Sequence, residues 1–355
     1  MNSFHLSPSL LRQQLGCWLH ERWKAEFVLR MPRLARQIGW SWMDLCNRDE
    51  SLSISTDGET RICDWSDSSQ LTLAKVFPSV ANRLFKYCQS QHPILLVDRN
   101  RLENTQHPDA SILIAIGGRT RLPLLHLTLM SLIGQTGVSI EIIVCEIGPR
   151  AELEHQLPTG IRYLHVPMDN ANGFNKSIAL NRAAELATGE VLLVHDGDYV
   201  VPADFVRTTL TQIGSADGIR PCRFIFHLDR VTTQRVLEQH RLPEVVGIEK
   251  IVQNNPTPMA VKRDAYQRIG GHDEDYFGWG GEDTEFISRL RTSSMIEGGT
   301  TFALHLWHPA APKKASGDRN RSMHDQKMRI PESQRIHRLR RKIHGCHVAS
   351  STTGS

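Results

Sequence analysis

The 355-residue chain is long enough to bury a large core without disulfides or a structural metal, and at roughly 150 residues per domain it holds two or three domains. Its 40% hydrophobic and 23% charged content excludes a disordered chain, a collagen and a coiled-coil rod. The net charge of +4 is uneven: residues 311–355 carry 11 Lys/Arg against 3 Asp/Glu, which is +8, so the remainder is −4. A basic tail on a neutral-to-acidic body points to contact with something anionic, or to a solvated terminal helix.

No run approaches the ~18 apolar residues of a spanning helix, and the first 20 residues lack a basic segment followed by an apolar core. Neither a membrane span nor a secretory signal is expected. The seven cysteines (Cys17, Cys46, Cys63, Cys88, Cys145, Cys222 and Cys346) are scattered and include no CxxC pair. They form neither a disulfide framework nor a zinc ribbon, and a reducing compartment fits them best. Cys145 and Cys222 lie in apolar runs and read as buried thiols.

Residues 1–108 read as an N-terminal accessory region. Leu11, Leu15, Trp18 and Leu19 fall at helical spacing, with Arg12, Gln13, His20 and Lys24 between them. Five of the seven tryptophans (Trp18, Trp23, Trp40, Trp42 and Trp65) lie here, as anchors of a small core or as a stacking surface for a sugar or lipid acceptor. Asp57-Gly58 and residues 66–69 are turn chemistry, and residues 100–109 look like a linker.

From residue 111 the pattern becomes regular. Strands are expected at 112–116, 140–147, 162–166 and 190–195, with helices at 124–133 and 175–187. That alternation means an α/β fold with at least partly parallel strand order. Ligands in such sheets bind beyond the carboxyl ends of the strands, which directs attention to residues 117–121, Glu146 and Asp196 to Asp198.

Three features carry chemistry. Asp196-Gly197-Asp198 follows an apolar strand, and its two carboxylates can converge on a hard divalent cation. Gly278-Trp279-Gly280-Gly281-Glu282-Asp283 sets glycines around a large aromatic, then opens a helix with two acids, as a mobile ligand-contacting loop would. His305-Leu306-Trp307-His308 offers imidazoles that would point to opposite faces of a strand, so that only one readily joins a given metal. One imidazole with one or two carboxylates suits Mn²⁺.

Together with Gly117-Gly118-Arg119-Thr120-Arg121, Phe174-Asn175-Lys176 and Leu180-Asn181, these residues resemble GT-A glycosyltransferases. The similarity is to the wider family-2 transferases and to the β1,4-galactosyltransferase and chondroitin-polymerase branch. It covers residues 109–325 as a GT-A domain, a Rossmann-like mixed sheet with flanking helices, and leaves 326–355 as a basic C-terminal tail. One departure is that Gly117 and Gly118 stand where the family has a Pro and an aromatic.

The resemblance implies a nucleotide-sugar donor, a glycan or glycolipid acceptor, and Mn²⁺ or Mg²⁺. Asp198, supported by Asp196, would hold the metal with His308, or else His305, as imidazole ligand. Arg119, Arg121, Glu146, Asn175, Lys176 and Asp196 would line the nucleotide pocket. Trp279, Gly280 and Gly281 would close over donor and acceptor. Asp283 would be the catalytic base, with Glu282 beside it on a sugar hydroxyl.

A metal-assisted diphosphate leaving group needs no acid, so one base suffices and attack inverts the anomeric centre. A glycosidase would need two carboxylates across the sugar. The alternatives are a retaining GT-A transferase, and a non-catalytic sugar-nucleotide-binding protein tethered by its tail. With no Golgi-type anchor, the expectation is a bacterial-type cytoplasmic enzyme, peripheral to the inner membrane face through the tail. The tail has almost no aromatics for stacking, so no specific nucleic-acid partner is expected.

Overall fold

The computed structural model describes residues 8–55, 58–63, 69–98, 101–103, 105–169, 174–278, 280–309 and 317–351. The chain opens with helices α1 (Pro8–Cys17) and α2 (Trp23–Arg30), joined by one π turn, Trp18–Arg22. Helix α3 (Pro32–Gln37) begins at a proline, whose fixed φ suits a first turn. A 3₁₀ turn at Trp42–Asp44 is closed by a capping box between Ser41 and Asp44. Strands β1 (Leu52–Ile54) and β2 (Arg61–Cys63) pair with each other, and β3 (Ser69–Gln70), α4 (Thr72–Val76) and α5 (Pro78–Gln91) follow.

The regular part begins with β4 (Ala110–Ile116), α6 (Leu122–Ile133), β5 (Ile140–Gly148), β6 (Arg162–Pro167), α7 (Lys176–Leu186) and β7 (Val191–Asp196). It continues through β8 (Tyr199–Val200), α8 (Phe205–Ile213), β9 (Gly218–Ile219), β10 (Cys222–Leu228), α9 (Arg230–Gln239) and β11 (Ile248–Gln253). Last come β12 (Met259–Lys262), α10 (Arg263–Arg268), α11 (Glu282–Leu290), β13 (Met295–Ile296), β14 (Thr301–His305), α12 (Gly317–Met328) and α13 (Glu332–Ser351).

Seven strands form the main sheet in the order β13-β9-β12-β7-β4-β5-β6, with β7, β4, β5 and β6 mutually parallel and β12 antiparallel to β7 and β9. The register sets Glu146 beside Ile116 and Asp196 beside Ala115, so both acids flank the carboxyl end of β4. A second sheet, β3-β11-β10-β14-β8, pairs His305 with His227 on one side and with Tyr199 on the other. The segment Gly197-Asp198 passes from one sheet to the other, and Leu306 N–H donates to the Asp198 carbonyl at 2.9 Å.

Helix α6 is apolar all round because it serves two cores. Leu125, Leu129 and Leu132 pack beneath the main sheet, while Leu124, Leu127 and Met130 join a cluster with Phe85, Phe226 and Phe302. That second cluster also holds Val28, Trp42, Leu84 and Cys88, so the N-terminal region shares its core with the second sheet. Buried Arg223 reinforces the junction by donating to the carbonyls of Met43 and Leu45 at 2.9 and 2.7 Å. The third cluster packs α7, α10 and α11 on the opposite face of the main sheet. Cys145 and Cys222 are buried as expected, and no disulfide links the described cysteines.

Two features of the described chain bear on the sequence reading. Trp42 is an anchor, but Trp18 and Trp23 are more than half exposed, and Trp65 lies outside the described residues. The C-terminal segment is not a free basic tail over its described part, because α13 packs on α11 and α10. Arg335 is buried and donates to the fully buried Glu285 at 2.7 Å, alongside Arg289, and Lys342 meets Asp275. Of the clustered cations Arg335, Arg338, Arg340, Arg341 and Lys342, the first and last therefore neutralise the protein's own acids. No helix among the described residues is long and apolar enough to cross a membrane.

Candidate functional site

The carboxyl ends of β4, β5 and β7 open toward the amino ends of α7 and α11. Asn175 caps α7 with its Oδ1, which accepts from Ile178 N–H at 3.0 Å, while its Nδ2 donates to the Glu274 carbonyl. Such a cap satisfies an otherwise orphaned amide and fixes where the next residue points. That residue is Lys176. Its ammonium lies 2.8 Å from Asp196 Oδ1 and 3.0 Å from Asp283 Oδ2. One nearly buried cation thus joins an acid at the end of β7 to an acid in the first turn of α11.

The electrostatics follow from this bridge. Burial disfavours the Lys176 ammonium, but the Asp196 and Asp283 carboxylates outweigh it and hold its pKa well above the ordinary value. Burial would raise Asp196, yet Lys176 and a 2.6 Å hydrogen bond from Thr257 bring it down to about 2. Asp283 is raised, chiefly by burial and despite Lys176, with the Asp196 charge adding to the rise. Glu282 is pushed up to about 7, first by burial and then by the Asp283 charge, and its buried Oε2 has no partner.

A second constellation sits where the chain crosses between sheets. Asp198 is 4% exposed, and its Oδ2 accepts from Arg121 Nη1 at 2.9 Å and from His308 Nε2 at 3.2 Å. Asp198, His305 and His308 each offer a ligand atom, and these atoms lie within 4.8 Å of one another. The expectation that the two imidazoles diverge fails because β14 ends at His305, so strand parity does not extend to His308. Their rings lie 5.2 Å apart. One carboxylate and two imidazoles fit a divalent cation that accepts nitrogen and oxygen ligands.

Protonation also differs between the two rings. Burial lowers His305, whereas the hydrogen bond to Asp198 raises His308. Burial opposes ionisation of Asp198, but His308, His305 and Arg121 keep its carboxyl below the usual value. Asp196 does not join this group, since its two oxygens are taken by Lys176 and Thr257. In this structure Asp196 places Lys176.

The remaining expected residues fall into two sets. Arg119 is exposed and donates to the Glu152 carbonyl at 3.3 Å, and Arg121 faces Asp198. Glu146 and Asn175 are fully buried. Glu146 Oε2 accepts from the amides of Glu152 and Leu153 and from Tyr163 Oη, so it shapes the loop after β5. Both residues support the walls of the cleft from within.

Gly280 and Gly281 have φ of +100° and +95°, where a Cβ is strained, and a Cβ on Gly281 would come 2.8 Å from the Tyr276 ring. Trp279 lies outside the described residues. Reading the sequence missed Thr257, Tyr163 and His227, whose ring stacks on His305 at 4.3 Å. Only the Asn175 cap had a local signal, an Asn immediately before a helical run.

Two comparisons with known families cover this architecture. Residues 111–270, from β4 through α10, match glycosyl transferase family 2. Residues 258–303, from β12 into β14, match the N-terminal domain of galactosyltransferase. No curated protein matches the chain.

Proposed function

From the premise that this chain is a glycosyltransferase of the GT-A fold, we propose that it moves a sugar from a nucleotide-diphosphate donor, a UDP-sugar, to a hydroxyl of a glycan or glycolipid acceptor. The observation that carries this reading is the convergence of Asp196 and Asp283 on Lys176, with Asp198, His305 and His308 on the neighbouring strand ends. We assign the catalytic unit to residues 109–325, with the described parts of residues 1–108 and 326–355 packed on it. A role in polysaccharide or glycoconjugate synthesis follows from the acceptor class.

When bound at Asp198, His305 and His308, Mn²⁺ or Mg²⁺ supplies charge neutralisation for a departing diphosphate. The rest is done by side chains. Lys176 adds a fixed positive charge on the donor side and opposes the upward shift that burial gives the Asp283 carboxyl. Asp283 takes the proton of the acceptor hydroxyl as that oxygen bonds to the anomeric carbon. The bond from that carbon to the phosphate oxygen breaks, the nucleoside diphosphate leaves, and attack from the opposite face inverts the centre. Glu282, half protonated near neutrality, can donate a hydrogen bond to a sugar hydroxyl. The bare backbone of Gly280 and Gly281 lets the ligand approach the helix start closely.

A screen of UDP- and GDP-sugars with Mn²⁺, scored by nucleoside diphosphate release, tests the reading. Metal-dependent release from a UDP-sugar is expected. Binding and release from neither class would overturn it, and retention of configuration by NMR would replace the inverting mechanism.

A further inference from the structure

The N-terminal helices expose an apolar face that the fold leaves uncovered. Along α1, the π turn and α2, Cys17, Glu21, Ala25 and Val28 point into the protein. The opposite face of a surface helix is ordinarily polar. Here it carries Leu15, Trp18, Leu19 and Trp23, exposed by 58, 56, 56 and 53%. Of the fourteen large apolar side chains exposed among the described residues, eight lie between Leu11 and Ile38. Single exposed apolar residues need no explanation, but a contiguous set marks a contact surface. Trp18, Leu19 and Trp23 line an open groove of about 520 Å³ together with Arg22, Glu26 and Arg30.

Charge identifies the occupant. Residues 11–38 hold six Lys/Arg and two Asp/Glu. Glu21 is buried, with its carboxyl pushed up by desolvation, and Glu26 is already paired with Arg83 and Arg30. Arg12, Arg30, Arg33 and Arg36 are exposed. The surface is therefore an apolar band with two indoles, lined by Arg22 and Arg30, with Arg12 exposed on α1 and Arg33 and Arg36 exposed on α3. Indoles favour the level of lipid headgroups, and arginine stems lie along apolar surface while their heads reach outward. A second copy of the chain would set arginines against arginines, which costs several kcal/mol.

We propose that the face formed by Leu15, Trp18, Leu19 and Trp23 docks the enzyme on a bilayer bearing anionic headgroups, with α1 and α2 lying in the interface plane. The proposal uses residues distant in sequence from the basic C-terminal segment and does not depend on the assignments at the catalytic site.

The test is co-sedimentation of the full-length protein with phosphatidylcholine vesicles, with and without phosphatidylglycerol, together with tryptophan emission. Wild type is expected to bind the anionic vesicles and to shift its emission to the blue. The variant Leu15→Ser/Trp18→Ser/Trp23→Ser should bind about tenfold less or weaker. Arg12→Glu/Arg33→Glu/Arg36→Glu should lose a similar factor, and added salt should imitate it. These three arginines are exposed, so the second variant decides the matter if the first fails to fold by circular dichroism. Equal binding by wild type and the charge-reversal variant overturns the proposal. So does equal binding of wild type to vesicles with and without phosphatidylglycerol, or a dimer that the apolar variant breaks in ultracentrifugation without any vesicle binding.

Discussion

Replacing Lys176 by Met removes the one cation that stands between Asp196 and Asp283. At 2.8 and 3.0 Å, with an effective dielectric constant of 20, each attraction is about 5–6 kcal/mol before desolvation is subtracted. Neighbouring cations move carboxyl pKa values by about 1–3 units in proteins, which is the net scale to expect. In the wild type, Asp283 is raised by burial and held back by Lys176. Without the ammonium it should rise by those further units, so more of the base is protonated at neutral pH. The acid limb of the kcat/KM profile should move up by about 1–3 units, with activity recovering toward alkaline pH. Stability should fall near neutrality by less than the ~3–5 kcal/mol of a fully buried pair, because two partly buried carboxylates lose their partner. The deficit should shrink at low pH, where those carboxyls take up protons. Lys176→Arg should restore both properties in large part. An acid limb that stays in place in Lys176→Met, in a protein that folds, would refute the electrostatic reasoning.

Other consequences can be checked in purified protein. Glu282 has its pKa raised from the ordinary 4.5 to about 7, so ionising it costs the folded state stability above pH 7 and nothing below about 4.5. Glu282→Gln should therefore stabilise by up to about 3 kcal/mol at pH 8 and be nearly neutral at pH 4, as thermal melts at both pH values would show. Asp198→Asn should lose Mn²⁺-dependent affinity for a nucleotide sugar in calorimetry while the circular dichroism spectrum persists; unchanged affinity would contradict its place in the metal group. Truncation after Ile330 removes Arg335 from the buried Glu285 and uncovers α11. It should lower Tm and turnover together, whereas a dispensable tail would leave both unchanged.

Much of the α/β scaffold is legible in the sequence because its strands are buried on both faces. β4, β5 and β7 are predominantly apolar, and the sequence boundaries lie within about two residues of those in the structure. The second sheet is less legible. β10 and β14 pair through residues some eighty positions apart, and no local pattern announces that partnership. The N-terminal region gave no clue that Trp42 packs on Phe224, since the partner lies 182 positions away. At the site, the acidic residues stand out by type and spacing, but their division of labour does not. Asp196 and Asp198 look interchangeable in a triplet, and only the turn at Gly197 sends one to Lys176 and the other to His308. Likewise a dense run of arginines reads as a solvated or membrane-facing tail. Its first member is consumed by Glu285, an acid that in sequence is only one more charge on α11.

The central claim is that Asp283, paired with Lys176, is the base for sugar transfer. Its most direct test is Asp283→Asn, measured with the donor and acceptor that the screen identifies. The amide is nearly isosteric, so donor and Mn²⁺ affinity should stay within a few-fold. Turnover should fall by about 10²-fold or more, the scale of a lost general base. Transfer at near wild-type rate by Asp283→Asn would contradict the account.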